Sequence, residues 1–120
     1  MTSSNNFYLT TAINYTNGSP HFGHAYEVIC ADILARYHSI NGKNVFFATG
    51  TDEHGQKIAD TAKAAGVSPK ELCDKYVNEF TKMNTLLQTT EDRFIRTTDP
   101  DHLETAQLIW NHVLQNDDIY

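Results

Sequence analysis

The chain has 120 residues, 40% of them hydrophobic and 20% charged, with a formal net charge of -6. That length suits one compact domain, no apolar run approaches a membrane span, and no secretory segment opens the chain. An acidic balance without a cluster of Lys and Arg excludes a surface that grips nucleic acid by its phosphates, so any RNA partner would be held by another segment.

Met1-Thr2-Ser3-Ser4-Asn5-Asn6 is polar and lacks Arg, and is expected to be a disordered lead over residues 1–6 rather than a transit peptide. Phe7 to Ile13 is β-branched and aromatic, which predicts a buried strand. Asn14 to Pro20 then supplies a turn rich in Asn, Gly and Ser. From Phe22 the apolar residues step as Phe22, Tyr26, Ile29, Ile33, Tyr37 and Ile40, and those intervals of three and four mark one face of a helix. Asn41-Gly42 ends it, because Gly accepts the left-handed turn at a helix end.

The alternation repeats. Val45 to Thr49 is a second apolar strand, followed by the Gly50–Gly55 loop and an Ala-rich helix to about Ala65, which Gly66 stops. Ser68-Pro69-Lys70-Glu71 carries a capping box with Pro at the first helical position. Leu72, Tyr76, Phe80, Met83 and Leu87 then trace the buried stripe of a third helix. Phe94 to Thr98 is a third strand candidate, and Asp99-Pro100 opens a last helix bearing Leu103, Ile109, Trp110 and Val113. Cys30 and Cys73 have no CxxC partner and fit the reduced thiols of a cytoplasmic protein.

Strands alternating with helices predict the α/β class, a Rossmann-like parallel sheet with right-handed crossovers. Ligands of such sheets bind beyond the carboxyl ends of the strands. Here those ends are the Asn14–His24 loop and the Gly50–Gly55 loop, so both chemically loaded segments fall on one edge.

Pro20-His21-Phe22-Gly23-His24 stands where a strand gives way to a helix. Two imidazoles three residues apart lie one above the other on a helical turn, and a Gly between them leaves backbone open to a flat ring. The unpaired N–H groups of that turn attract a polyphosphate. By itself His-x-x-His is also compatible with ordinary structural histidines or with zinc. Zinc would need three or four ligands, and only His54 and Cys30 lie near in sequence; Cys30 points away from the pair, so no metal site is expected.

The segment Thr10 to Tyr26 resembles the first signature of the class I aminoacyl-tRNA synthetases. Thr49-Gly50-Thr51-Asp52-Glu53-His54-Gly55-Gln56-Lys57 resembles the matching segment of the methionyl-tRNA synthetases, as do Phe94 to Asp99 and Asp118-Ile119-Tyr120. The likeness runs from Phe7 onward, so residues 7–120 would form the first half of the catalytic Rossmann-like domain, ending at the start of the connective insertion. It implies ATP-dependent activation of methionine to an adenylate, with magnesium, and transfer to tRNA(Met) through parts of the protein outside this chain. It also implies roles for residues. His21 and His24 would donate to the phosphates as charge develops, Gly23 would admit the adenine, and Asn17 would lie near the phosphates. Asp52 would accept the ammonium of methionine, Ile13 would offer it a backbone carbonyl, and Tyr15 would wall the thioether pocket.

Plain structural readings stand beside these: Asp52 as a helix N-cap, Tyr15 as core and His54 as a turn residue, the last being preferred. Ala12, Asn14 and Phe22 depart from the Pro, Tyr and Ile or Leu common in the family. The Lys-Met-Ser-Lys-Ser loop is absent, so the chain is expected to be a fragment, inactive alone. Two alternatives remain, a smaller nucleotidyl transferase and a non-catalytic remnant that binds a nucleotide or a partner chain.

Overall fold

The computed structural model describes residues 5–119. Residues 1–4 of the expected lead, and Tyr120 of the closing segment, lie outside the described residues. In chain order the elements are β1 (Asn6–Tyr15), α1 (Phe22–Ile40), β2 (Asn44–Asp52), α2 (Gln56–Ala65), α3 (Pro69–Leu87), β3 (Arg93–Arg96) and α4 (Pro100–Gln115). The three strands form one parallel sheet in the order β1-β2-β3. Two successive crossovers of one hand, stepping the same way across a sheet, place their helices on the same face. Accordingly α1 packs against both β1 and α3.

The core lies between that face and the helices. Phe47 of β2 is fully buried against Val28, Ala31 and Ala35 of α1, with Leu9, Val45, Met83 and Leu87 around it. Burying a side chain of that size stabilises by about 2–3 kcal/mol. A second cluster of Ile58, Ala62, Leu72 and Cys73 joins α2 to α3. The capping box forms as the sequence predicts: Ser68 Oγ accepts from Glu71 N at 3.2 Å, and Glu71 Oε2 accepts from Ser68 N at 2.8 Å.

Three expectations need correction. The strand opens at Asn6 and is half-buried rather than buried, because β1 is a sheet edge covered on one face. The second strand runs to Asp52, so Gly50, Thr51 and Asp52 belong to sheet rather than loop. The apolar stripe of α1 is real but does not meet the sheet: Phe22, Tyr26, Ile33, Tyr37 and Ile40 are exposed, and the contact face is Val28, Ala31, Asp32 and Ala35. A helix apolar on several sides offers more than one such face, and small residues let α1 approach the strands closely. Leu103, Ile109 and Trp110 of α4 are likewise exposed, and no described residue of that helix is buried.

A bulge in β1 sets the geometry of the site. Thr10 pairs with Ala48 and Ile13 with Gly50, so Thr11 and Ala12 together oppose Thr49. Side chains alternate faces along a strand, and an extra residue reverses the alternation beyond it. Before the bulge the odd-numbered Phe7 and Leu9 turn inward; after it the odd-numbered Ile13 and Tyr15 turn outward, and Tyr15 is 56% exposed. The bulge displaces the N–H of Ala12, which donates to Glu27 Oε1 of α1 at 3.0 Å.

Candidate functional site

Beyond the carboxyl ends of β1 and β2, residues 13–24 enclose a cleft of about 320 Å³. It is lined by Ile13, Asn14, Tyr15, Asn17, Gly18, Ser19, His21 and His24. Five of the residues singled out in the sequence, Ile13, Tyr15, Asn17, His21 and His24, thus line one cavity. Asp52 is outside the lining but pairs directly with Tyr15 across the strands, so their side chains rise from the same face of the sheet.

His21 is the N-cap of α1, with extended backbone. Its Nδ1 accepts from Gly23 N at 3.1 Å, and His24 Nδ1 accepts in return from His21 N at 3.2 Å. Each imidazole therefore stands in for the usual Ser or Asp cap and satisfies an orphan donor of the helix start. Because both Nδ1 atoms accept, each neutral ring carries its proton on Nε2, the atom left to face a ligand. The rings stack with centroids 3.8 Å apart. Gly23 leaves this pair its room: a Cβ there would come within 2.9 Å of His21 Cε1 and 3.1 Å of its Nδ1, so the His21 ring would have to shift.

Burial beside Phe80 lowers the pKa of His24, the neighbouring His21 lowers it further, and Glu27 raises it in part. The net direction is down, which keeps the ring neutral. A neutral donor at a helix N-terminus suits a polyanion, since the helix dipole supplies positive potential without a competing proton equilibrium.

Asp52 ends β2. Its Oδ1 accepts from His54 N at 3.2 Å, while its backbone carbonyl accepts from Thr16 N at 3.4 Å. The helix-cap reading does not hold, because α2 starts later, at Gln56, with Gly55 as N-cap at φ 126°. Among the described residues the second carboxylate oxygen has no protein partner. His54 hydrogen-bonds Thr97 Oγ1 at 3.1 Å, which fits a turn residue.

The residues sequence reasoning missed lie next door. The Glu53 side chain is 1% exposed. Arg96 grips it with two bonds, Nε to Oε1 at 2.6 Å and Nη2 to Oε2 at 2.8 Å. Thr51 and Thr98 hydroxyls add bonds of 2.8 and 2.7 Å. Burial pushes the Glu53 carboxyl up, but the bonds from Arg96, Thr98 and Thr51 outweigh it and hold the group below the usual carboxylate range. The sequence signal was an acid at the end of one strand and an Arg at the end of the next. Gly50 was also missed as a structural requirement, since a Cβ there would fall 2.0 Å from Ile95 O.

Comparison with known proteins gives a consistent result. A family model described as tRNA synthetases class I (M) matches residues 7–120. The Methionine--tRNA ligase of Rhizobium meliloti (strain 1021) is 52% identical over 114 residues, covering 95% of this chain and 22% of that protein. The corresponding protein of Thermotoga maritima is 48% identical and is covered over 18% of its length. The solved structure of Mycobacterium tuberculosis methionyl-tRNA synthetase in complex with methionyl-adenylate superposes with a TM-score of 0.94 at 46% identity, covering 96% of this chain and 23% of that one. The chain thus spans about a fifth of the length of the relatives it matches.

Proposed function

Since the chain belongs to the class I (M) tRNA synthetases, we propose that it supplies the first part of an active site that activates methionine with ATP and passes it to tRNA(Met). The observation that carries this reading is the register Tyr15↔Asp52, which sets an anion and an aromatic edge on one face beside the cleft of the His pair. An α-ammonium group is bound best by a fixed carboxylate, and a thioether by an aromatic edge. The backbone carbonyl of Ile13, which lines the cleft just after the bulge, is the second ammonium acceptor in this scheme.

The methionine carboxylate is already ionised, so attack on the α-phosphate of ATP needs no general base. A phosphorus–oxygen bond forms, pyrophosphate leaves with its bonding pair, and the mixed anhydride remains. The terminal adenosine hydroxyl of tRNA then attacks the acyl carbon and displaces AMP. Catalysis rests on positioning and on donors aimed at the developing phosphate charge. The Nε2–H groups of His21 and His24 fill that role, with Asn17 beside them, and Gly23 leaves room for the adenine against the helix start.

Magnesium travels with the nucleotide in this scheme. The cleft offers no carboxylate in its lining, and among the described residues no group of three acidic, His or Cys side chains could hold the ion. Its ligands would be phosphate and water oxygens. The tRNA would be held by parts of the protein outside this chain, consistent with a net charge of -6 here. Among the described residues no helix is long and apolar enough to cross a membrane, and this reading assigns the protein to the cytoplasm.

The test is methionine-dependent exchange of pyrophosphate into ATP, run on the longest natural protein that contains this chain and on the 120-residue chain. Exchange by the longer protein, with methionine preferred over other amino acids, is expected. Folded protein that binds a nucleotide but exchanges nothing would refute the reading in favour of a non-catalytic binding domain.

A further inference from the structure

The proposed ammonium ligand is a single carboxylate at the end of a strand, and its one side-chain bond, Oδ1 accepting from His54 N at 3.2 Å, ties it only to the turn that follows. Its neighbours fix the strand end that carries it. Thr51 and Glu53 are buried on the opposite side of β2 from Asp52, as the two-residue period requires. The Glu53 carboxylate accepts four hydrogen bonds from Arg96, Thr51 and Thr98. Its backbone N–H donates to Thr97 Oγ1 at 2.8 Å. Arg96 reaches on to α3, where its Nη2 donates to Asp74 Oδ1 at 2.7 Å. The peptide unit after Asp52 is therefore tied to Thr97, just past β3, and the Glu53 side chain is tied through Arg96 to α3. The Thr51 carbonyl is also held, by Thr97 N at 3.2 Å.

We propose that Arg96 is a positioning residue for amino-acid binding: by clamping Glu53 on the α3 side of the sheet, it aims the Asp52 carboxylate at the substrate ammonium on the other side. This rests on the reading of Asp52 given above. Arg96 does not compete for Asp52, because its charge is matched by Glu53 and Asp74. A planar fork is what the task demands, since two parallel bonds fix the rotation of the carboxylate whereas one ammonium fixes only a distance.

Arg96→Lys keeps the charge and loses the fork. In the full-length protein, measured by pyrophosphate exchange, it is expected to raise KM for methionine about 10-fold or more, since small misplacement of a binding group carries costs of that order. KM for ATP should stay within about 2-fold, because the His pair is positioned by α1 and not by β3. The preference for methionine over 4-(methylthio)butanoate, the same acid without its ammonium, should shrink by the same factor. Thr98→Val removes one of the four bonds and should act in the same direction by about 2–3-fold; it decides the matter if Arg96→Lys does not fold. Both variants losing thermal stability with methionine KM and analogue discrimination unchanged would overturn the proposal, leaving Arg96 a structural residue only. Asp52→Asn, measured in parallel, separates the two claims. If it leaves methionine KM unchanged, the ammonium site itself is wrong and the positioning role falls with it. If it raises methionine KM while Arg96→Lys and Thr98→Val do not, the site stands and the positioning role is refuted.

Discussion

Replacing His21 by Asn separates two jobs that one imidazole performs. As the N-cap of α1, His21 accepts from Gly23 N at 3.1 Å through Nδ1. Its Nε2–H, on the far side of the ring, is the proposed donor to phosphate. Asn ranks with the best N-caps, so stability should change by less than about 0.5 kcal/mol, whereas His21→Ala should lose about 1 kcal/mol. Asn is too short to reach where Nε2 stands. Loss of one donor aimed at charge developing in a transition state costs about 2.7–4 kcal/mol, or 10²–10³ in kcat. The same change removes the ring stacked 3.8 Å from His24 and with it part of the downward pull on the His24 pKa. Asn and Ala should therefore be equally poor in pyrophosphate exchange by the full-length protein while differing in denaturation midpoint. Exchange by His21→Asn within about 3-fold of the parent would refute the donor role and leave His21 a cap.

Asp52→Asn should raise KM for methionine between about 10- and 150-fold, the value of a hydrogen bond to a charged group at about 1.5–3 kcal/mol, with ATP binding unchanged in the same assay. Gly50→Ala would drive a Cβ to 2.0 Å from Ile95 O, so β3 must shift; chemical denaturation should show a loss of at least about 1–3 kcal/mol, and no loss would contradict the close packing of the two strands. Because burial and His21 lower the His24 pKa, the acid limb of the exchange rate should lie below the ordinary imidazole range; Glu27→Gln, which removes the raising influence, should move it lower still. Glu53 is held below its ordinary carboxyl value of 4.5. Its contribution is complete above that pH and lost as pH falls through the lowered value, so Glu53→Gln should flatten the acid limb of the stability curve measured by thermal melts.

The sequence by itself determined the order and type of the elements, because that information is local. Apolar runs bounded by turn residues marked the strands, the Ser68–Glu71 box and Gly66 marked helix ends, and Leu72, Phe80 and Met83 marked the inner face of α3. The family resemblance singled out Ile13, Tyr15, Asn17, His21 and His24, and because these are close in sequence one turn gathers them along the cleft. What the sequence left open was set by partners distant along the chain. Which apolar face of α1 meets the sheet depends on Ala31 and Ala35 fitting under Phe47. The bulge that turns Tyr15 outward depends on Thr49 and on Glu27 accepting the freed N–H of Ala12. The clamp behind Asp52 joins Glu53 to Arg96 across 43 positions. No periodicity encodes such pairs, because they come into being only when the sheet registers its strands; only the tertiary structure decided them.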